Sequence, residues 1–402
     1  MRLLSIETSC DDTCIAIVEV FDKEKPRFKI LSNVVSSQVE IHKKWGGVFP
    51  SLAKREHQRN LPPVLIKALK EIKLLKISKS EFLWMLSGGL PRRLLSKQNQ
   101  NSNFRNLKKI LQREEPLFRS FKKILMKYGK PNIDAIAVTV GPGLEPCLWV
   151  GVNFARALSH YWELPLISVN HIEAHIMVNW LKMNKKIRFP AICLVASGGH
   201  TQLILMRKKG SYEILGETRD DAAGECFDKV ARILGLGYPG GPIIAAEAKK
   251  FKVPELQIKL PRPMIKTKDY DFSFSGLKTA VLYDFRNRPE KIRGSKPYLQ
   301  EMCFETQQAV IDVLLTKTRS AAKNYKAKTI ILGGGVTANK ELRKQFIKAF
   351  FREGLELLIP KPDFSTDNAV MVGIAAYFNR SKVKSWKEIT ANANLNITGN
   401  EF

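Results

Sequence analysis

Apolar residues along this chain follow two patterns, short continuous runs and longer segments in which they recur every three or four positions. Four runs are rich in aliphatic and β-branched residues and end in small or glycine-containing turns, which is typical of buried strands. They start at Leu3, Ile133, Ala191 and Thr329. The first and third runs each lead through a short polar turn into a second predicted strand, at residues 14–20 and 202–206.

The spacing of three and four predicts helices between these strands. They cover residues 50–76, 148–162, 223–234, 298–323 and 338–351. The strand–turn–strand pattern at the start of the chain recurs at the third run, which predicts a duplicated α/β architecture with a cleft between its halves. We expect an N-terminal lobe over residues 1–189 and a C-terminal lobe over residues 190–402.

Residues 76–130 form a predicted insertion in the N-terminal lobe. They hold 14 Lys and Arg against 3 Glu, a charge of +11, and the polar stretch 96–103 is expected to be a mobile loop. Charge alone does not separate two interpretations of the segment, a solvated and partly helical excursion or an arm that contacts nucleic acid.

The whole chain is strongly basic. Its 402 residues include 66 Lys and Arg against 38 Asp and Glu, a formal net charge of +28. A field of this sign attracts polyanions, so nucleic acid is the first candidate partner, with a basic compartment or a lysine-rich genome as the alternative. The chain has no run of 18 or more apolar residues, so a membrane span is not predicted. Glu7, Asp11 and Asp12 interrupt any apolar core that a signal peptide would need. We therefore expect a protein that neither spans a membrane nor is secreted.

Six cysteines are scattered along the chain. They are Cys10, Cys14, Cys147, Cys193, Cys226 and Cys303. Because none of them forms a CxxC pair, the sequence argues against a zinc ribbon or a disulfide framework and predicts reduced, mostly buried thiols.

His171 and His175 carry the strongest chemical signal. Residues four apart share one face of a helix, so both imidazoles can reach one metal ion. The motif is not the HExxH of metalloproteases, because Ile172 stands where that motif has its general-base Glu. Asp367, at a predicted helix start, is the candidate third ligand. Two His and one carboxylate leave positions open for substrate, as in catalytic metal sites, and the alternative is two histidines on a helix surface.

Two glycine-rich turns follow predicted strands. Ser197-Gly198-Gly199 and Gly333-Gly334-Gly335 let backbone N–H groups approach a phosphate closely. The second turn also precedes a predicted helix, whose N-terminus favours negative charge. A single turn of this kind is more often structural, but several after apolar strands favour a nucleotide site.

Asp11 and Asp12 lie in the turn after the first strand. Paired carboxylates at such a place can orient a substrate amine, bind a cation or cap the turn. From these residues alone, capping is slightly favoured.

Several ordered blocks resemble the tRNA N6-adenosine threonylcarbamoyltransferase family, once called O-sialoglycoprotein endopeptidases. The opening block is Ser5-Ile-Glu-Thr-Ser-Cys-Asp-Asp-Thr13, and further blocks lie at residues 46–57, 138–144 and 271–279. The resemblance covers nearly the whole chain apart from residues 76–130 and the C-terminal end. It implies a duplicated, two-lobed fold of the actin/sugar-kinase/Hsp70 type with a central cleft.

The resemblance also implies the site. One divalent metal ion per subunit, iron or zinc, is expected on His171, His175 and Asp367. An adenylate is expected on Val195, Ala196, Ser197, Gly198, Gly199, Asp228, Gly241 and Asn339. A carboxylate beside an adenosine suits its ribose hydroxyls, so the role of Asp228 is physically reasonable.

The implied reaction transfers the threonylcarbamoyl group from L-threonylcarbamoyl-adenylate to the exocyclic amine of the adenosine 3′ of the anticodon, in tRNAs that read ANN codons, and releases AMP. Asp11, with Asp12 beside it, is expected to orient or deprotonate the amine. Asp12 stands where many relatives have Glu. The partners implied are tRNA, a separate synthase that supplies the adenylate, and a second copy of the chain in a homodimer.

His200 and the block 220–228 resemble the bacterial and mitochondrial branch of this family. Together with the basic charge they predict a mitochondrial compartment, with a bacterial cytoplasm as the alternative. Two other function classes share parts of the pattern. A metalloprotease would use the same histidines but lacks its Glu, and a sugar kinase or nucleotide-driven binding module would share the fold but seldom carries such a metal site.

Overall fold

The runs predicted as strands build two five-stranded sheets in a computed structural model of the chain. The structure describes residues 1–22, 24–77, 97–182 and 187–398. Two compact units are present. The first consists of Met1–Gln38, Val48–Lys182 and Asp367–Phe402, and the second of Val39–Gly47 and Met183–Thr366.

These units differ from the predicted division at residues 189 and 190 in three places. The second unit begins earlier, at Met183, Val39–Gly47 groups with it, and Asp367–Phe402 groups with the first unit. The last difference matters chemically, because it places Asp367 in the same unit as the two histidines of the predicted metal site.

The sheet of the first unit has the order β3-β2-β1-β4-β5. β1 pairs antiparallel with β2 and parallel with β4, so it lies at the centre of the sheet. Its apolar side chains and Glu7 are buried, which explains why this strand reads as a nearly continuous apolar run. The strands are Arg2–Glu7 (β1), Asp12–Phe21 (β2), Arg27–Ser37 (β3), Ala135–Gly141 (β4) and Leu166–Asn170 (β5).

The sheet of the second unit has the order β10-β9-β6-β7-β8. Here β6 is central, antiparallel to β7 and parallel to β9. The strands are Ala191–Ala196 (β6), Thr201–Lys208 (β7), Ser211–Glu217 (β8), Thr329–Gly333 (β9) and Glu356–Leu358 (β10).

The two sheets have the same connectivity. In each, the first strand along the chain is central, the next two are added on one side by antiparallel pairing, and the last two on the other side by parallel pairing. This repetition confirms the predicted duplication, and the α/β fold is that of the actin/sugar-kinase/Hsp70 type.

Helices of the first unit cover its sheet. The predicted helix 50–76 ends at Glu71, where Lys73 follows in a left-handed conformation with φ 57°, and the predicted helix 148–162 begins earlier, at Glu145. Pro146 suits the first turn of that helix because it has no N–H to leave unbonded. The helices are Pro50–Glu71, Lys97–Ile110, Glu115–Lys127, Glu145–Trp162, His171–Met177 and Ala369–Phe378, with a 3-10 turn at Val178–Lys182.

Helices of the second unit include two that the apolar spacing did not predict, Gly240–Ala248 and Ser275–Asn287. The predicted helix 338–351 starts at Lys340, because Asn339 caps it and Gly335–Ala338 is a 3-10 turn. The remaining helices are Val39–Lys43, Ala223–Ile233, Glu290–Arg293 and Lys296–Asn324, with a 3-10 turn at Pro362–Phe364.

The predicted insertion is only partly described, since residues 78–96 lie outside the described part. The expectation of a loop over residues 96–103 is wrong for 97–103, which begin the helix Lys97–Ile110. Leu107 on that helix and Phe121 on the next are buried in the core of the first unit, where the Phe121 ring lies 4.8 Å from that of Phe154. The described part of the segment therefore packs on the unit and is not merely a solvated excursion.

The state of the cysteines agrees with the prediction of reduced, mostly buried thiols. All six cysteines are free, five of them buried and Cys10 half-buried. Across the described ranges, no helix is long and apolar enough to cross a membrane.

Candidate metal centre and nucleotide site

His171 and His175 lie on a short helix that leaves the end of β5. Asn170, the last residue of that strand, caps the helix by accepting hydrogen bonds from the N–H groups of Ile172 and Glu173. One helical turn brings the two imidazoles together with ring centroids 4.6 Å apart. Both side chains are buried, so they are not the surface pair of the alternative interpretation.

Asp367 reaches the same point from the opposite end of the chain. It precedes Asn368, whose side chain caps the helix Ala369–Phe378 by accepting from Met371 N–H. Its Oδ1 lies 3.1 Å from Nε2 of His175 and 3.6 Å from Nε2 of His171. One ligand atom from each of the three residues falls within 4.8 Å of the others, which is a spacing that one metal ion can bridge.

Glu7 supports the histidine pair from β1. Its Oε2 lies 3.1 Å from Nδ1 of His171 and accepts a hydrogen bond from Thr139 Oγ1 at 2.7 Å. Its Oε1 accepts from Ser9 N–H at 2.6 Å. Metal-ligating histidines are commonly oriented by a carboxylate on the other ring nitrogen, and that is the position of Glu7. Sequence reasoning did not predict this role, because Glu7 lies on β1 and His171 lies on a helix far along the chain.

The charged groups of this cluster shift one another's pKa values. Burial acts to raise the pKa of Glu7, but the charge and hydrogen bond of His171 outweigh it and lower that pKa. Burial acts to lower the pKa of His171, and the negative charges of Glu7 and Asp367 reverse this and raise the pKa to about 9. For His175 burial prevails, and its pKa is lowered.

His175 provides a test of whether the cluster suits a metal ion. Both of its ring nitrogens are buried, and neither makes a hydrogen bond of normal geometry to the residues that the structure describes, although Nε2 lies close to Asp367. A buried polar atom without a partner costs free energy. A cation bound through Nε2 removes that cost for one of the two nitrogens, so these residues fit a metal ion.

The turn that carries Asp11 and Asp12 is held by His57, which is fully buried on the helix Pro50–Glu71. Nε2 of His57 lies 2.9 Å from the Cys10 carbonyl, and Nδ1 lies 2.7 Å from Thr13 Oγ1. Since a carbonyl only accepts, Nε2 carries the proton, and in the neutral ring Nδ1 accepts from the Thr13 hydroxyl. Sequence reasoning did not single out His57.

The surroundings of the Asp12 carboxyl disfavour its ionised form. Burial, followed by the negative charge of Asp11, raises the pKa of Asp12 to about 7. Oδ1 of Asp12 is buried and has no hydrogen-bond partner within the described ranges. A carboxylate that titrates near neutral pH suits a general base.

In the second unit, the turn Ser197-Gly198-Gly199 follows β6. Ser197 N–H donates to the His200 carbonyl at 2.7 Å, which closes the turn, and a Cβ on Gly198 or Gly199 would meet no atom within 4 Å. Open space beside two glycines is what a backbone phosphate cradle needs. Gly334, by contrast, has φ 87° and lies against the backbone of Ala196, so glycine is required there for packing.

The other predicted nucleotide contacts lie in the same unit. Asp228 accepts a hydrogen bond from Gly240 N–H at 2.7 Å, next to Gly241, whose Cβ position is open. Asn339 accepts from Glu341 N–H and Leu342 N–H at the start of its helix. Its amide nitrogen donates to Gln307 Oε1 at 2.7 Å and carries a second N–H, which is the atom that a nucleotide contact would use.

The geometry can be compared with known proteins. A family profile described as tRNA N6-adenosine threonylcarbamoyltransferase matches residues 29–79 and 115–374 of the chain. The residues between the two matched ranges, 80–114, lie inside the predicted insertion, and residues 1–28 and 375–402 also lie outside the match. The matched ranges include both histidines and Asp367, the glycine turns, Asp228 and Asn339.

Curated relatives carry the same description. One from Syntrophomonas wolfei is 41% identical over 97% of this chain and 96% of its own length. One from Bacillus subtilis is 41% identical over 93% of this chain and 89% of its own length. Among solved structures, component A of the Acidaminococcus fermentans (R)-2-hydroxyglutaryl-CoA dehydratase is 12% identical over 95% of this chain and 98% of its own, with a TM-score of 0.46.

Proposed function

The chain belongs to the tRNA N6-adenosine threonylcarbamoyltransferase family, and on that basis we propose that it transfers a threonylcarbamoyl group from L-threonylcarbamoyl-adenylate to the exocyclic amine of the adenosine 3′ of the anticodon in tRNAs that read ANN codons. The enzyme is a transferase. The observation that carries the finer assignment is the buried cluster of His171, His175 and Asp367, in a chain whose second unit also holds open glycine turns.

The adenylate binds to the second unit. It contacts the segment Val195, Ala196, Ser197, Gly198 and Gly199, and its phosphate lies on the backbone N–H groups of the two glycines, which leave room for it. Asp228 accepts from the ribose hydroxyls, and Gly241 and Asn339 complete the contacts. Backbone donors at this place also stabilise the charge that grows on the phosphate as AMP leaves.

A divalent metal ion, iron or zinc, is held by His171, His175 and Asp367. When bound, such an ion supplies Lewis-acid polarisation of a carbonyl oxygen. Glu7 orients His171 with its proton on Nδ1, so that Nε2 presents a lone pair.

The transfer forms one bond at the carbamoyl carbon and breaks another at the same carbon. The adenosine amine attacks the carbamoyl carbon, the bond from that carbon to the phosphate oxygen breaks, and AMP leaves with the electron pair. Asp11 orients the amine, and Asp12, with its pKa raised to about 7, accepts the proton. An aromatic amine is a weak nucleophile, so positioning supplies much of the rate.

Partners and compartment follow from the same proposal. tRNA binds through the basic surface, a separate synthase supplies the adenylate, and the chain forms a homodimer. The relatives reported above are bacterial, which is consistent with a bacterial cytoplasm and gives no support to the mitochondrial compartment expected from the sequence.

The test incubates the purified protein with synthetic threonylcarbamoyl-adenylate and an unmodified tRNA that reads ANN codons, and then analyses the nucleosides by mass spectrometry. We expect threonylcarbamoyladenosine with the wild type and none with His171→Ala. If no product forms even when extract from the source cell is added to supply partner proteins, the proposed reaction is wrong.

A further inference from the structure

Trp45 is the most exposed tryptophan in the described part of the chain, with 66% of its surface accessible. It lies in the second unit, just after the short helix Val39–Lys43. Burying an indole in the core removes a large apolar surface from water, so an exposed one suggests an interaction surface.

The backbone of Trp45 is fixed. Its N–H donates to the His42 carbonyl at 2.9 Å, and His42 itself is fully buried. Gly46 follows with φ 65°, a left-handed conformation that ends the helix at low cost only for glycine. The Arg232 guanidinium then donates to the Gly46 carbonyl and covers Gly46 and Gly47. The indole is therefore carried on a turn whose backbone loses little freedom when a partner binds.

The same turn is tied to the proposed adenylate site. Arg232 and Asp228 lie four residues apart on the helix Ala223–Ile233 and so share one face of it. Asp228 is the carboxylate assigned to the ribose. One helix thus braces the Trp45 turn and carries a residue of the reaction site, both within the second unit.

Charge indicates which partner this surface fits. Lys43 and Lys44 immediately precede Trp45 and are exposed, and the only acidic neighbour on this helix is Glu40, which pairs with Lys43 at 3.8 Å in solvent, where such pairs are weak. An exposed aromatic ring next to cations is the combination that binds unpaired nucleotides, with the ring stacking on a base and the cations contacting phosphates.

We propose that Trp45 stacks on a base of the tRNA anticodon loop and that Lys44 contacts an adjacent phosphate. The inference deepens the proposed function, on which the choice of tRNA rests. The bases of that loop include the neighbours of the adenosine to be modified, and they are accessible because the loop is single-stranded. Trp45 is thereby a substrate-binding residue outside the set that the family resemblance implied.

The test measures the affinity of the full chain for an unmodified anticodon stem–loop RNA at several salt concentrations. Trp45→Ala should raise the Kd about 5- to 100-fold, because base–aromatic stacking is worth that much in alanine substitutions. Trp45→Phe, which keeps a ring, should recover most of the affinity. Lys44→Gln should reduce the slope of log affinity against log salt by about 0.7, the value for one contact to single-stranded RNA.

Tyr283→Ala is the matched control, since Tyr283 is 59% exposed in the same unit and its replacement should not affect RNA binding.

Product formation from the adenylate is measured for each variant. If the wild type forms product and Trp45→Ala binds RNA as tightly as the wild type does, the stacking proposal is wrong while the proposed function stands. If Trp45→Ala weakens RNA binding but the wild type forms no product, the proposed function is wrong while the stacking proposal stands. A change in oligomeric state with unchanged RNA affinity also overturns the proposal, because the indole then belongs to an interface between copies of the chain.

Discussion

Glu7 and His171 form a buried carboxylate–imidazole pair, with Oε2 of Glu7 3.1 Å from Nδ1 of His171. Because the carboxylate only accepts, Nδ1 carries a proton, and Nε2 lies on the side of Asp367. With a pKa of about 9, His171 also carries a proton on Nε2 at neutral pH when no metal ion is bound, so a metal ion would take the place of that proton. A residue of the first strand thus sets which nitrogen of a histidine far along the chain is available to a metal ion.

Replacing Glu7 by Gln keeps the hydrogen bond but removes the negative charge. We expect Glu7→Gln to weaken metal binding about 10- to 100-fold, the usual effect of losing such a partner. Competition against a chromophoric chelator measures this. Glu19→Gln, on the half-buried pair with Arg2, is the control and should bind metal as the wild type does. Equal affinity in Glu7→Gln would mean that the negative charge of Glu7 does not contribute to metal binding.

Removing a ligand tests the metal site directly. His171→Ala and Asp367→Ala should both lose bound metal and product formation, while thermal unfolding stays cooperative because the sheets do not depend on these side chains. Metal content, product yield and calorimetry check the three points. His160→Ala, a histidine outside the cluster, should retain metal and activity. Full activity in a metal-free double variant would contradict a catalytic metal.

Asp12 should impose a pH dependence on both stability and rate. A carboxyl whose pKa rises from 3.8 to about 7 on folding is penalised when it ionises, so the folded state loses stability as pH rises through that window. Asp12→Asn should therefore raise the melting temperature at and above pH 7 and leave it nearly unchanged in acid. The effect should be modest, since Asp12 is half-buried and partly screened by solvent.

The rate of transfer should rise with pH, whereas the contribution of Asp12 to stability falls. If Asp12 accepts the proton of the amine, single-turnover transfer rises with pH up to about 7 and then levels off. In Asp12→Asn that rise should disappear along with most of the rate. If Asp12→Asn keeps the same rise of rate with pH, the group that titrates is not Asp12.

Two glycines in the turns of the second unit should respond differently to the same substitution. Gly334→Ala should destabilise the fold by about 1–3 kcal/mol or more, because φ 87° strains a residue with a Cβ and that Cβ would meet the backbone of Ala196. Gly198→Ala meets no atom, so its stability should be nearly that of the wild type, whereas its adenylate affinity should fall. Denaturant unfolding and calorimetry with AMP separate the two effects. Unchanged AMP binding in Gly198→Ala would exclude this turn as the phosphate site.

The exposed lysines of the basic helices test the role of the insertion. Lys108, Lys109 and Lys123 project from helices whose apolar faces are buried, so their replacement by Gln should not affect folding. If this surface contacts tRNA, the triple variant should bind it more weakly and with a smaller salt slope. An equal number of Gln replacements at Lys249, Lys252 and Lys259 controls for net charge. Identical effects of the two triple variants would indicate general attraction only.

Local sequence patterns determined the central strands, the helix face of the two histidines and the open glycine turn. The apolar runs predicted the central strands, the i, i+4 spacing placed His171 and His175 on one helix face, and glycines after strands marked the open turn at Gly198. Such features depend on residues that are close along the chain, and their geometry follows from the periods of helix and strand. The resemblance to the family then predicted nucleotide contacts for Asp228, Gly241 and Asn339, which no local pattern distinguishes.

Only the tertiary structure decided which distant residues meet. Asp367 joins the histidines because the last helix packs in the first unit, and Glu7 reaches His171 because β1 and β5 belong to one sheet. It also showed that residues 97–103 are helical, that His57 holds the turn of Asp11 and Asp12, and that Trp45 is exposed. Long-range contacts and exposure arise from how elements pack, and periodicity along the chain carries no information about that packing.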